Sequence, residues 1–275
     1  MKLQEKLKEV KNNKSALLAT NFYNYETLKG ILLAASELDL PIILQLSESS
    51  IKYLGLRVAV RMARSAIGEL GVVAWLHLDH AKSIGLVREC LNEGFDSIMI
   101  DGSELDYENN IRITKEAVKL SSQFGANVEA ELGYIPKLGQ SQNNLIYSQP
   151  EDVKFFVEET GINALAVAIG SVHGSYKGTP NINIEKLREI NEANSIPLVL
   201  HGGSGIPDFI VQKTISNGIS KLNIATEIKD TFTIAIKNSL CKSLEIDLRK
   251  TFLPAIQEVK TLVENKLRLV TMKFI

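Results

Sequence analysis

Cysteine is scarce: only Cys90 and Cys241 occur in 275 residues. Two thiols cannot build a disulfide framework, which excludes a small cross-linked fold and suits a cytoplasmic chain. Excess charge is missing as well, with 31 Lys and Arg against 32 Asp and Glu. Without a basic block there is no electrostatic footprint for nucleic acid. Long hydrophobic runs are also absent. The longest, ALAVAI at 164–169, falls far short of the roughly 20 apolar residues a membrane helix needs. The charged opening MKLQEKLKEVKNNK has no apolar core of a signal peptide, so neither a membrane partner nor export is expected.

What remains is ordinary globular composition, 45% hydrophobic and 23% charged, arranged with a clear rhythm. Short apolar runs recur eight times, at 16–20, 41–47, 72–80, 97–103, 127–133, 164–171, 197–204 and 220–227. Most lack polar alternation, as buried parallel strands do. Between them lie stretches with apolar residues at three- and four-residue spacing, among them 26–38, 83–93, 107–124 and 184–194. Glycine or proline often marks the change from helix to strand, as at Gly71, Gly94, Gly125 and Gly161. Eight such units predict an α/β fold: a single (β/α)8 TIM barrel spanning 1–275, closed by a C-terminal helical extension. An open doubly wound sheet would want a glycine-rich turn after its first strand, where this chain has Asn21-Phe22-Tyr23-Asn24.

Active sites of such barrels lie at the C-terminal strand ends. The polar residues there are concentrated, and all four histidines of the chain fall among them. Strand three ends in His77-Leu78-Asp79-His80, strand four in Asp101-Gly102-Ser103, and strand five carries Glu129 and Glu131. Strand six ends in Ser171-Val172-His173-Gly174 and strand seven in His201-Gly202-Gly203-Ser204-Gly205. Three imidazoles on one rim are the ligand set of a catalytic zinc site, and His80, His173 and His201 are the candidates. His77, further back on its strand, reads as a core group. Asp101 and Glu131 are candidates for orienting ligands or touching a second metal position, with buried carboxylates bonded to backbone as the alternative.

The turn at Gly202, Gly203 and Ser204 and the strand end Asn223-Ile224-Ala225-Thr226 fall after strands seven and eight, where barrels often hold phosphate. Asp79 is the candidate proton carrier, or else a carboxylate that orients an imidazole. A metal that polarises a carbonyl next to a proton carrier supports C–C bond making and breaking, and equally hydrolysis. A Schiff-base lysine at the mouth is not evident. Lys221 falls at the start of strand eight and Lys177 on a loop.

Six stretches resemble the class II metal-dependent ketose-bisphosphate aldolases: AWLHLDH (74–80), SIMIDGS (97–103), VEAELG (128–133), ALAVAIGSVHGSYKG (164–178), LVLHGGSGIP (198–207) and SKLNIATE (220–227). The resemblance implies a cytoplasmic lyase of carbohydrate metabolism and glycolysis, a homodimer or homotetramer. It would reversibly cleave fructose or tagatose 1,6-bisphosphate to dihydroxyacetone phosphate and glyceraldehyde 3-phosphate. It further implies Asp79 as the group acting on the C4 hydroxyl and His80, His173 and His201 as ligands of Zn²⁺ or another divalent metal. Asp101 and Glu131 would be accessory metal contacts. Gly174, Gly202, Gly203, Ser204, Asn223, Ile224, Ala225 and Thr226 would bind substrate. Gly174 and Ser204 would also touch a monovalent cation, Na⁺ or K⁺.

Two departures stand out. Acidic residues common in the family after strand five are missing, since no Asp or Glu occurs between Glu131 and Glu151. This admits an alternative, a relative that binds metal and sugar phosphate without turnover or with altered specificity. The ending from Leu267 to Ile275 also differs from the Gly-Ser-containing family pattern. The strand ends mix subgroups, HGGSG being of fructose type and NIATE of tagatose type.

Overall fold

The computed structural model describes residues 1–133, 135–136, 147–174, 176, 178, 180–242 and 244–271. Eight parallel strands close into a barrel in sequence order: β1 (Leu17–Asn21), β2 (Ile42–Ser47), β3 (Ala74–Ala81), β4 (Ser97–Ile100), β5 (Asn127–Leu132), β6 (Ala164–Val167), β7 (Leu198–Leu200) and β8 (Ile219–Ile224). The pairing of β1 with β8, Leu18 opposite Leu222, shuts it. Helices α1 (Leu3–Asn12), α2 (Tyr25–Leu38), α3 (Glu48–Leu54), α4 (Leu56–Leu70), α5 (Ile84–Asn92), α6 (Tyr107–Ser122), α7 (Pro150–Thr160), α8 (Ile184–Ala193), α9 (Asp208–Ser216), α10 (Thr226–Lys242), α11 (Leu248–Thr251) and α12 (Leu253–Thr271) complete the described elements. β6 and β7 stop before the apolar runs that announce them, because their last residues leave the ladder to build the mouth.

Alternation of side chains sorts the strands into two faces. Leu44, Leu76, Ile98, Val128, Leu165, Leu200 and Leu222 turn outward into the shell shared with the helices. Leu17, Ile43, Trp75, Met99, Ala164 and Val199 turn inward with Leu3, Leu7 and Val10 of α1. The charged N-terminal stretch is therefore an amphipathic helix that plugs the barrel floor. Each of its three buried side chains contributes roughly 1.5–3 kcal/mol of hydrophobic stabilisation. Above this floor the inward positions turn polar: Gln45, His77, Glu129 and Lys221 are all buried.

The helical extension exists as expected. α12 lies against α2 and α10, and its Val270 carbonyl accepts the Ala16 N–H at 2.9 Å, tying it to the foot of β1. Gly30 of α2 permits the close approach, since a Cβ there would stand 2.8 Å from the Ile256 carbonyl oxygen and 2.9 Å from Val259. Replacing glycine gains up to about 1 kcal/mol of helix propensity, whereas overpacking a closed contact costs roughly 1–3 kcal/mol. Gly30→Val is expected to lower the thermal unfolding midpoint followed by circular dichroism. An unchanged midpoint would mean that α12 does not dock there.

Candidate active site at the barrel mouth

Asp79 and His80 are neighbours on β3, so a regular strand would point them to opposite faces. The chain breaks the alternation. His80 takes a left-handed backbone, φ 53°, and the register of β3 against β4 shifts between Leu78 and Ala81. Histidine is among the residues that tolerate this conformation, which costs of order 1–3 kcal/mol. Both side chains consequently reach the mouth. Asp79 accepts from Asn21 Nδ2 at 3.0 Å and from Gln45 Nε2 at 3.4 Å.

His173 comes from the loop after β6, its N–H bonded to the Pro136 carbonyl at 2.9 Å. His201 directly follows β7. The Tyr176 phenol joins these two loops, accepting the Val172 N–H at 2.9 Å and donating to the Gly202 carbonyl at 3.0 Å. Gly202 has φ +66°, and a Cβ there would overlap the Val172 carbonyl oxygen, so only glycine allows the loops to touch.

One ligand atom each from His80, Glu131, His173 and His201 lies within 4.8 Å of all the others. His201 Nδ1 and His80 Nε2 are 3.0 Å apart. The Oε2 oxygen of Glu131 is buried with no hydrogen-bond partner. A partnerless buried carboxylate oxygen among three imidazoles is costly unless something positive sits there. This mixed nitrogen and oxygen set fits a divalent metal.

Asp101, a candidate either for orienting a ligand or for touching a second metal position, stands outside that group. Its Oδ2 bonds His80 Nδ1 at 2.8 Å and Lys82 Nζ at 2.9 Å, while Oδ1 accepts from Ser103 Oγ at 2.6 Å. It orients His80 through the ring's far nitrogen, as carboxylates behind metal-binding imidazoles do.

Electrostatics divide the four ligand candidates. Burial works against charge on His80, but Asp79, Asp101 and Glu131 outweigh it and push the imidazole up to about 9. Burial, then the neighbouring His201 and His80, lowers His173 to about 3. Glu131 is pushed up to about 8, by burial above all and also by Asp101. Although burial opposes it, Asp79 is held below the usual carboxylate range by His80, His201 and the Asn21 hydrogen bond. It is therefore an anion at neutral pH.

A cavity of about 580 Å³ opens over these groups, and Gly174, Gly202, Ser204 and the strand end Asn223, Ile224, Ala225 and Thr226 line its β7–β8 side. Gly203, expected beside them, is not among these lining residues, and its N–H is spent on the Asn223 carbonyl at 3.0 Å. Ser204 Oγ accepts from the Ala225 and Glu227 amides at 3.1 and 3.3 Å, which locks the two turns together at the start of α10. Sequence reasoning missed Lys229, one turn into α10, which lines the same side. It also missed Asn21, Gln45 and Tyr176. Their signal, a polar residue at an inward strand position or an aromatic beside a glycine turn, becomes specific only once the facing strand is known.

Lys221, early in β8 as the linear reading has it, is not among the residues that line the cavity. It lies inside the barrel, 1% exposed, with Nζ 2.6 Å from Glu129 Oε2. His77 is the expected core group, buried and bonded through Nδ1 to Ser97 Oγ at 2.7 Å. The acid-free stretch after β5 lies mostly at 134 and 137–146, outside the described residues, as does Lys177.

The barrel and its mouth together define a metal-dependent TIM-barrel enzyme. The family model "Fructose-bisphosphate aldolase class-II" matches residues 1–273. Fructose-bisphosphate aldolases of Geobacillus stearothermophilus and of Staphylococcus aureus strain Mu50 are each 37% identical over 274 residues, covering 97% of this chain and 95% of theirs. Among solved structures, the YdjI aldolase of Escherichia coli K12 aligns with a TM-score of 0.88 at 33% identity, over 98% of this chain and 96% of that one. A putative fructose-1,6-bisphosphate aldolase from Coccidioides immitis gives 0.89 at 29%, with the same coverage. The chain belongs to the class II fructose-bisphosphate aldolase family, a family of metal-dependent lyases acting on sugar phosphates. These relatives are named as aldolases, so the non-catalytic alternative is not favoured.

Metal binding requires deprotonated ligands. With His80 protonated below about 9 and Glu131 below about 8, loading the metal-free protein at pH 7 is expected to release about one to two protons. Release should vanish as pH rises past these values, and apparent affinity should climb over the same window. Calorimetry in buffers of different ionisation enthalpy measures the count. A pH-independent count of zero would remove these two residues from the ligand set.

Proposed function

We propose that this chain reversibly cleaves a ketose 1,6-bisphosphate, fructose or tagatose, to dihydroxyacetone phosphate and glyceraldehyde 3-phosphate. The observation that carries this reading is the convergence of three imidazoles and the partnerless Glu131 oxygen beside an anchored, ionised Asp79. His80, His173 and His201 would hold the divalent ion, Zn²⁺ by preference, with Glu131 as the fourth donor. Such an ion supplies Lewis-acid polarisation of the ketose carbonyl and offsets the negative charge that grows there as the C3–C4 bond breaks.

The remaining steps belong to the chain. Asp79 takes the C4 hydroxyl proton, with Asn21 and Gln45 holding its carboxylate in place for that transfer, and C3, which keeps the electron pair of the broken bond, takes a proton from water to complete dihydroxyacetone phosphate. In the condensation direction Asp79 returns the proton to the new hydroxyl. Gly174, Gly202, Ser204 and Asn223 to Thr226 bind the dihydroxyacetone phosphate half, near the first turn of α10 with its favourable dipole. Lys229 adds positive charge on that side. Gly203 is left out of direct contact and serves the turn. A monovalent cation beside Gly174 and Ser204, assembly into a homodimer or homotetramer, residence in the cytoplasm and one domain across 1–275 complete the proposal.

Dihydroxyacetone phosphate release from each sugar, with and without chelator, tests this directly. Chelator-sensitive release is expected, and none from metal-loaded protein would overturn it. Asp79→Ala should lower kcat by about 10²–10⁴-fold with metal content unchanged. Undiminished turnover in that variant would remove Asp79 from the chemistry.

A further inference from the structure

The polar layer beneath the mouth is not used by the reaction above, yet it is continuous with it. His201 Nε2 lies 2.9 Å from Glu129 Oε1. The other oxygen, Oε2, accepts from Lys221 Nζ at 2.6 Å. Lys221 Nζ also reaches His77 Nε2 at 3.3 Å, His77 Nδ1 meets Ser97 Oγ at 2.7 Å, and Asn127 Nδ2 donates to the same oxygen at 3.0 Å. Every member is 0–1% exposed. The chain of contacts runs across the barrel from β7 through β5, β8 and β3 to β4.

Its polarity has a direction. The Lys221 ammonium can only donate, so Glu129 Oε2 and His77 Nε2 are its acceptors and Glu129 is a carboxylate paired with a cation. Glu129 can therefore only accept from His201, so the His201 proton sits on Nε2 and Nδ1 is the free lone pair. That nitrogen is the one facing His80. Asn223 Nδ2, at 3.1 Å from the same Nε2, cannot donate to a protonated nitrogen. Turning this amide over gives its partnerless Oδ1 a donor and agrees with the same tautomer.

We propose that the buried Glu129–Lys221 pair is a positioning device for the metal site, with Glu129 fixing the ring and tautomer of His201 and Lys221 fixing Glu129. The proposal rests on the metal reading above. Stability does not account for the pair, since a buried ion pair is often no better than apolar residues of similar volume, and the inner layers of these barrels are ordinarily filled by such residues. A carboxylate behind a metal-binding imidazole typically carries 10–100-fold in metal affinity.

The double variant Glu129→Gln/Lys221→Met removes both charges together and strands neither. It is expected to fold with a thermal midpoint near that of the wild type. Its affinity for Co²⁺, read by chelator competition, should fall about 10–100-fold. At saturating Co²⁺ its visible absorption spectrum should change, which lost stability alone would not produce. Lys221→Met alone should lower both stability and affinity, and the double variant should regain only the stability. Wild-type affinity with an unchanged cobalt spectrum in the folded double variant would overturn the proposal. Failure of the double variant to fold would overturn it too, by making the pair structural. Absence of Co²⁺ binding by the wild-type protein would instead remove the metal reading on which it rests.

Discussion

Two adjacent residues on one strand carry the proposed proton transfer and one metal-ligand position, and a strand cannot present both to one side. The left-handed turn at His80 and the slipped register beside it resolve that conflict. Asp79 keeps the inward direction of the ladder, while His80 swings over the rim. Asp101, from the next strand, then takes the far nitrogen of the His80 ring and fixes the near one. The strain is local and small beside the packing of β3 against β2 on one side and Ile98 on the other. A closed barrel can hold one residue in an unfavourable conformation because its strand is paired on both sides, to β2 up to Asp79 and to β4 at Leu78 and Ala81.

The same closure explains the layering of the interior. Side chains from eight strands share a narrow space, so each layer must be chemically consistent. The floor is apolar and plugged by α1. The middle layer is polar and joined through Glu129, Lys221, His77 and Ser97. The top layer is polar and incompletely satisfied, with an oxygen of Glu131 lacking a partner. The partnerless Glu131 oxygen belongs to the end that opens into the cavity, where a ligand can reach it.

The two late loops obey a different constraint. His173 and His201 lie beyond their strands, where no ladder fixes direction. Their placement depends on the Tyr176 phenol, on the close approach at Gly202, and on the Ser204 hydroxyl that pins one turn to the start of α10. Gly203, which looked like part of the cradle, is spent on this bracing. Neighbouring glycines in one short turn thus do separate jobs, one allowing contact with another loop and one closing on a strand.

Eight apolar runs separated by amphipathic helices were enough to determine a parallel barrel, because buried parallel strands and their helices leave a periodic imprint on the residue order. The three histidines and Asp79 were also legible, since strand ends are the one place where such a barrel puts polar groups to use. Position along a strand did not disclose which face a residue takes once the ladder slips, nor what lies opposite it. Lys221 read as lying away from the mouth, where it is, but the facing carboxylate on β5 that it pairs with was not visible. Asp101 read either as orienting a ligand or as a metal contact because its partners, Lys82, Ser103 and the far side of His80, converge only in three dimensions. Hydrophobic periodicity is a local property written residue by residue, whereas partnership across a barrel is fixed by strand register and closure, and only the tertiary structure decides those.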